Sequence, residues 1–211
     1  YLTIEDGKFG FWCEEVPDDI PVVDESGKWV APGFVDTHIH GFYNHATTDC
    51  DADGVNVSSV ELARRGTTSW LPTTFTESPE HIRDACAAIA EADEKRDESF
   101  VGAHIQGIYL EGPFFTQKHV GAQNPAYLID PSYELFASWQ EVAGGRIRKS
   151  ALAAERDGAP EYCAKLAAEG IVTCVGHSDA TYAEALAAVN AGATCFVHTY
   201  NGMRGLHHRE P

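Results

Sequence analysis

Two histidines, His38 and His40, stand two residues apart in the segment FVDTHIHG (34–41). If this segment is a strand, both side chains leave the same face, about 6 to 7 Å apart along the backbone. Two imidazoles at that spacing can bind one metal ion, although a strand carrying two hydrogen-bonded histidines has the same pattern. The position of His40 at the end of the strand, before Gly41, favours a functional role.

Three further polar residues occupy equivalent positions, each at or near the end of an apolar run: Glu111, His177 and His198. A carboxylate is costly to bury unless it is paired or bound to a cation, and neutral imidazole is a common zinc ligand. We therefore expect these side chains to meet at one rim, against the alternative of unrelated polar residues at strand exits. The predicted metal ligands are His38, His40, Glu111, His177 and His198.

Such a ligand set indicates hydrolytic chemistry. A divalent cation lowers the pKa of bound water and polarises a carbonyl oxygen. Asp36 shares the parity of the two histidines and is expected to support them from deeper in the strand. The sequence contains neither a GxSxG elbow nor an activated cysteine that would favour a covalent mechanism.

Alternating apolar runs and Ala-rich helical stretches predict successive βα units, and hence an α/β fold. The predicted strands are 33–40, 67–74, 107–112, 146–153, 171–177 and 194–200, and the predicted helices are 58–65, 79–94, 160–169 and 181–191.

The βα alternation allows either an open doubly wound sheet or a (β/α)8 barrel. At roughly 31 residues per barrel unit, residues 33–211 hold about six units, so a TIM barrel would be incomplete. No GxGxxG or GxxxxGK[ST] motif supports the nucleotide-binding version of the open sheet. Short runs at 1–4, 8–12, 21–23 and 28–30 predict a separate β segment. We expect residues 1–30 to be strands of a small β-sandwich domain and residues 31–211 the first part of the barrel.

The composition excludes several classes of partner. The 211 residues include 32 acidic and 15 basic ones, a net charge of −17, which disfavours nucleic acid and anionic lipid surfaces. No membrane span or signal peptide is recognisable, and six cysteines without a CxxC pair predict free thiols; both favour a cytoplasmic protein. The start at Tyr1 and the single methionine, Met203, predict that the sequence is a piece of a longer protein.

Five segments together resemble the N-acetylglucosamine-6-phosphate deacetylases of the amidohydrolase superfamily. They are APGFVDTHIHG (31–41), GTTSWLPTT (66–74), LEGPF (110–114), GHSDAT (176–181) and HTYNGMRGLHHREP (198–211). The resemblance implies hydrolysis of the acetamide of N-acetyl-D-glucosamine 6-phosphate to D-glucosamine 6-phosphate and acetate, in amino-sugar catabolism. It also implies one or two divalent ions, most simply zinc, and a homodimer.

Carried over residue by residue, the resemblance assigns Glu111, His177 and His198 to the principal metal site and His38 and His40 to a second one. Gln123 stands where the family has a substrate-contacting histidine, and Gly202 where alanine is common. The implied phosphate contact, Arg209, acts from a neighbouring subunit in that family, and the catalytic aspartate is expected beyond Pro211. The implied substrate-binding residues are Ala122, Gln123, Asn201, Gly202 and Arg209.

Two other functions remain open. A different amidohydrolase, acting on a cyclic amide or an aminated base, would need a carboxylated lysine, for which Lys149 is the mid-strand candidate. A degenerate barrel that binds a sugar phosphate without catalysis would carry no stoichiometric metal.

Overall fold

The computed structural model describes residues 1–209, which form two compact units, Tyr1–Pro32 and Gly33 onward. In the first unit, β1 (Leu2–Glu5) and β2 (Lys8–Trp12) pair antiparallel around a turn at Asp6 and Gly7. The predicted strands at 21–23 and 28–30 are wrong, since neither segment has strand pairing. Short apolar runs without a partner strand gain no ladder of backbone hydrogen bonds. The β-sandwich assignment stays a prediction.

The second unit alternates strands and helices. Its strands are β3 (Phe34–Ile39), β4 (Gly41–Phe42), β5 (His45–Ala46), β6 (Thr67–Thr74), β7 (His104–Ile105), β8 (Ile108–Leu110), β9 (Ile147–Leu152), β10 (Val172–Val175) and β11 (Cys195–Phe196). Its helices are α1 (Ala52–Ala63), α2 (Pro79–Glu94), α3 (Tyr133–Val142), α4 (Ala159–Ala168) and α5 (Tyr182–Asn190), with 3-10 turns at Gln117–His119 and Pro125–Tyr127.

The order of strands in the main sheet distinguishes the two predicted architectures. Strands β3, β6, β8, β9, β10 and β11 lie side by side in chain order and pair in parallel, and the short β7 also pairs with β6. A doubly wound sheet reverses its strand order at a switch point, whereas a barrel adds each strand beside the preceding one. The unit is therefore an incomplete (β/α) barrel, as the sequence predicted.

Apolar side chains cover both faces of this sheet. Two neighbouring residues of β6 pack on opposite faces. Trp70 belongs to the larger apolar cluster with the helices, and Leu71 belongs to a smaller cluster with Tyr109 and Phe115. This alternation follows from the two-residue period of a strand. With one face buried against helices, the register of each strand is set by its apolar residues.

Two helices differ from the sequence expectation. Helix α1 begins at Ala52, not at 58, because the Asp51 side chain accepts a hydrogen bond from the backbone N–H of Asp53 and caps the helix. Helix α3 was not predicted; Ser132 caps it by accepting from Leu135, and its Trp139 is buried. Large aromatic residues have low helix propensity, so tertiary packing stabilises this helix.

Within residues 1–209, no helix combines the length and apolar character needed to cross a membrane. The six cysteines, all in this part of the chain, are free thiols.

Candidate metal centre

The predicted ligands lie at the carboxyl-terminal edge of the main sheet. His40 directly follows β3 and Glu111 directly follows β8, while His177 and His198 each stand two residues beyond β10 and β11. Parallel strands end at the same edge of a sheet, so these side chains meet although their positions span more than half of the chain. The location is the one where barrel enzymes place functional groups.

Local backbone conformation turns the chain away after two of these residues. Gly41 has φ +124°, and a Cβ there would lie 2.0 Å from the carbonyl oxygen of His45. Gly112 has φ +98°, and its Cβ would lie 2.0 Å from Thr76 Oγ1. Side chains are excluded at both positions by conformation and by space, so glycine is required directly after His40 and Glu111.

His177 and His198 have left-handed backbones, with φ values of 47° and 51°. Such values are uncommon outside glycine and cost free energy that the surrounding structure must supply. Two strained histidines at the same edge of the sheet point to a constraint on where their rings lie.

The Glu111 carboxylate is the centre of the cluster and is 1% exposed. Its Oε1 atom lies 2.8 Å from His198 Nε2, 3.0 Å from His38 Nε2 and 3.5 Å from His177 Nε2. Its Oε2 atom lies 2.9 Å from His40 Nε2. One atom from each of His38, Glu111 and His198 falls within a mutual distance of 4.8 Å, which is compatible with binding a common ion.

In two of the rings, the Nδ1 atom points away from Glu111 and is hydrogen-bonded to a backbone carbonyl. His177 Nδ1 lies 2.7 Å from the carbonyl oxygen of His119, and His40 Nδ1 lies 3.1 Å from that of Thr73. A carbonyl only accepts, so each Nδ1 donates, and Nε2 is the atom of each ring that can offer a lone pair on the side of Glu111. In the described structure, the buried His177 Nε2 has no hydrogen-bond partner.

An imidazole lone pair directed at a carboxylate repels it, so either a proton or a metal cation must lie between the two. The donor set, one carboxylate oxygen and imidazole nitrogens, is the set that divalent zinc prefers. The orphaned Nε2 of His177 and the buried Glu111 carboxylate therefore fit a divalent cation.

Two opposing effects act on the pKa of Glu111. Burial raises it, but hydrogen bonds from the rings of His177, His38 and His40 lower it by a larger amount, so that the pKa lies well below its usual range. The carboxylate is thus ionised, as a metal ligand must be.

Aromatic side chains support two of the ligand rings. Phe75 stacks on His40 with 3.7 Å between ring centroids, and Phe115 stacks on His177 at 4.4 Å. Both stacks limit rotation of the imidazoles, and the buried Phe115 excludes water from one face of His177.

The predicted substrate-binding residues divide into two groups. Gln123 is buried and Ala122 is exposed in the loop that follows Glu111. The backbone N–H groups of Asn201 and Gly202 donate to the carbonyl of His198 at 2.7 and 2.8 Å, so both residues lie beside a predicted ligand.

Arg209 is exposed, and its backbone N–H donates to His207 Nδ1 at 3.3 Å.

At Gly202, a Cβ would lie 3.0 Å from the Cβ of His198, which is a tight contact. Alanine, which is common at this position in the deacetylase family that the sequence resembles, would require His198 to shift by a few tenths of an ångström.

Two other residues considered from the sequence lie near the cluster without joining it. The Asp36 carboxylate accepts from the backbone N–H of His38 at 3.0 Å, so it supports the strand and not the ring. Lys149 Nζ lies 4.2 Å from the centroid of the Tyr109 ring and 3.5 Å from the carbonyl oxygen of Thr37.

Sequence reasoning missed one ion-pair group beside the site. Asp179 accepts from Lys118 at 2.8 and 2.9 Å, from His119 at 3.1 Å and from Arg204 at 3.2 Å. These contacts tie the loop that carries His119 to the segment after His177. The motif GHSDAT contained the aspartate, but nothing local indicated partners from two distant loops.

An incomplete (β/α) barrel with a buried carboxylate and four histidines at the carboxyl-terminal edge of its strands defines the metal-dependent class of barrel hydrolases. Residues 29–208 match the sequence model of the amidohydrolase family, and the chain belongs to that family. The family implies a divalent metal, and the donor set described above fits one.

The chain is similar to deacetylases of two kinds. It is 38% identical over its whole length to N-acetylglucosamine-6-phosphate deacetylase of Bacillus subtilis, and 35% identical to N-acetylgalactosamine-6-phosphate deacetylase of Escherichia coli O157:H7. The matches cover 54% of each relative, so the chain spans about half the length of these proteins.

The fold is similar to that of a Mycobacterium smegmatis N-acetyl-D-glucosamine-6-phosphate deacetylase mutant, whose structure was solved in complex with N-acetyl-D-glucosamine-6-phosphate. The TM-score is 0.77 at 34% identity, over 85% of this chain and 45% of the other.

Proposed function

We propose that the protein hydrolyses the acetamide of N-acetyl-D-glucosamine 6-phosphate, releasing acetate and D-glucosamine 6-phosphate for amino-sugar catabolism in the cytoplasm. The observation that carries the proposal is the convergence of Glu111 and four histidines, with the orphaned Nε2 of His177 facing the carboxylate. The similarity to deacetylases of two amino-sugar phosphates supports the substrate class.

Glu111, His177 and His198 would hold the principal ion, and His38 and His40 would allow a second; zinc is the proposed metal. When bound, a divalent cation polarises a carbonyl oxygen and lowers the pKa of water. The residues of the chain hold the donor atoms in position: carbonyl groups hold the outer nitrogens of two rings, and aromatic stacks limit their rotation.

The substrate would lie along the same rim. Asn201 and Gly202, whose backbone N–H groups donate to the carbonyl of His198, would orient the sugar, and Ala122 and Gln123 would contact it from the loop after Glu111. The planar guanidinium of Arg209 suits a phosphate and would act across the proposed homodimer. Proton transfer to the leaving amine is assigned to an aspartate outside residues 1–211.

The test measures acetate release by the native protein from three compounds. They are N-acetylglucosamine 6-phosphate, its unphosphorylated form and N-acetylgalactosamine 6-phosphate. The proposal expects the highest kcat/KM for the first and a large loss without the phosphate. A preference for the galactosamine epimer would change the assigned sugar. No acetate from any of them would refute the deacetylase.

Elemental analysis of the same preparation distinguishes the hydrolase from a degenerate barrel that only binds a sugar phosphate. A protein without stoichiometric transition metal would be a binding barrel and not a hydrolase.

A further inference from the structure

We propose that Gln123 is a positioning residue for the Glu111 carboxylate, and that it acts on metal binding more than on substrate binding. The inference deepens the proposed function, because it depends on Glu111 being a metal ligand. It assigns to Gln123 a role different from the substrate contact that the family resemblance implies.

The first observation is that Gln123 bridges two groups of the site. Its side chain is buried, with 4% of the residue exposed. The Oε1 atom accepts from the backbone N–H of Thr76 at 2.7 Å, and Nε2 donates to Glu111 Oε2 at 2.8 Å.

The Thr76 contact determines the orientation of the amide. A backbone N–H can only donate, so it must face the oxygen of the glutamine and not the nitrogen. The amide nitrogen is then directed at the carboxylate, which can only accept. Both partners thus select the same orientation, and a flipped amide would lose both hydrogen bonds.

The second observation is how the two carboxylate oxygens are shared. Oε2 receives the Gln123 hydrogen bond and lies beside His40, whereas Oε1 lies near His38, His177 and His198. By holding Oε2, Gln123 fixes the rotation of the carboxylate about its last side-chain bond. Oε1 is thereby kept directed at three imidazoles.

These contacts also limit what Gln123 can offer a substrate. An amide has two N–H donors and an oxygen with two lone pairs. One donor is used by Glu111 and the oxygen by Thr76, and the side chain is buried. Hydrogen bonds that orient a metal ligand without touching the metal usually change metal affinity by about 10- to 100-fold.

The test compares zinc affinity of intact proteins by competition with a chromogenic chelator at pH 8. Gln123→Met keeps the side-chain volume and removes both hydrogen bonds. Gln123→Glu keeps an acceptor for Thr76 and replaces the donor that faces Glu111. The matched control is Gln140→Met. The side-chain amide of Gln140 also makes two hydrogen bonds, to the backbone carbonyl and N–H of Ile147, but at the opposite end of the strands.

We expect both Gln123 variants to bind Zn²⁺ about 10- to 100-fold more weakly than the native protein. The Gln140 variant should match the native affinity. In acetate release, the Gln123 variants should lose kcat at saturating zinc with little change in KM.

Native zinc affinity in both Gln123 variants, with a raised KM, would overturn the inference in favour of a substrate contact. An equal loss of affinity in Gln140→Met would overturn it in favour of general destabilisation. If the native protein binds zinc but releases no acetate, the proposed function fails while the affinity comparison still decides the role of Gln123.

Discussion

The Nδ1 atom of His177 donates to the carbonyl oxygen of His119 across 2.7 Å, joining residues 58 positions apart. This bond leaves Nε2 as the atom available to a metal ion, 3.5 Å from Glu111 Oε1. The His119 side chain in turn contacts Asp179 at 3.1 Å. The orientation of a proposed metal ligand thus depends on a loop that carries no predicted ligand itself.

Replacing His177 with glutamine should abolish stable zinc binding. Glutamine cannot present an imidazole lone pair at the same point, and the loss of one ligand from the principal set weakens binding strongly. Zinc content after dialysis, measured by mass spectrometry, checks this. His104→Gln is the control, since His104 is an exposed histidine of β7. Equal zinc retention in both variants would contradict the assignment.

Removing the His-x-His pair should lower the number of bound ions by one. His38 and His40 are proposed to support a second ion, so the double alanine variant should retain only the ion held by Glu111, His177 and His198. Zinc per chain, counted after gel filtration at saturating zinc, measures the change. An unchanged count would show that the pair holds no separate ion. A double alanine variant of the exposed neighbours His207 and His208 is the matched control.

Asp179→Asn should lower the melting temperature in a pH-dependent manner. Hydrogen bonds from Lys118, Arg204 and His119 hold the pKa of Asp179 well below its ordinary value of 3.8. A depressed pKa stabilises the folded state above the unfolded pKa, and this stabilisation is lost as the pH falls through the folded value.

Thermal unfolding followed by circular dichroism from pH 7 to pH 3 tests the direction of this pH dependence. The difference in melting temperature between the native protein and the asparagine variant should be largest at neutral pH and should shrink below pH 3.8. A deficit that stays constant over this range would mean that the charge of Asp179 is not what stabilises the loops.

Trp139→Ala should destabilise the fold by about 3 to 5 kcal/mol. Trp139 is 1% exposed, donates from Nε1 to the carbonyl of Pro79 at 3.0 Å, and packs 5.9 Å from the ring of Phe114. Urea unfolding measures the change. Trp29→Ala is the control, because Trp29 is fully exposed. A loss in Trp139→Ala within the roughly 0.5 kcal/mol typical of surface substitutions would refute the packing argument.

Several features were determined by the sequence alone. The repeated apolar runs predicted parallel strands. Polar residues at the ends of four of these runs predicted the location of the metal site, because parallel strands end at one edge of a sheet. Helix α2 was predicted with its correct bounds, since Ser78 and Pro79 mark its start. The incomplete barrel was also predicted, from the length of each βα unit.

Only the tertiary structure decided which atoms meet. Gln123 reaches Glu111 because the loop between them folds back, and Thr76 selects the orientation of its amide. Helix α3 exists because Phe136 and Trp139 are buried against other elements, a stabilisation that local propensity does not contain. Periodicity reports the burial of a face, whereas proton positions and ligand orientation depend on contacts between residues far apart in the chain.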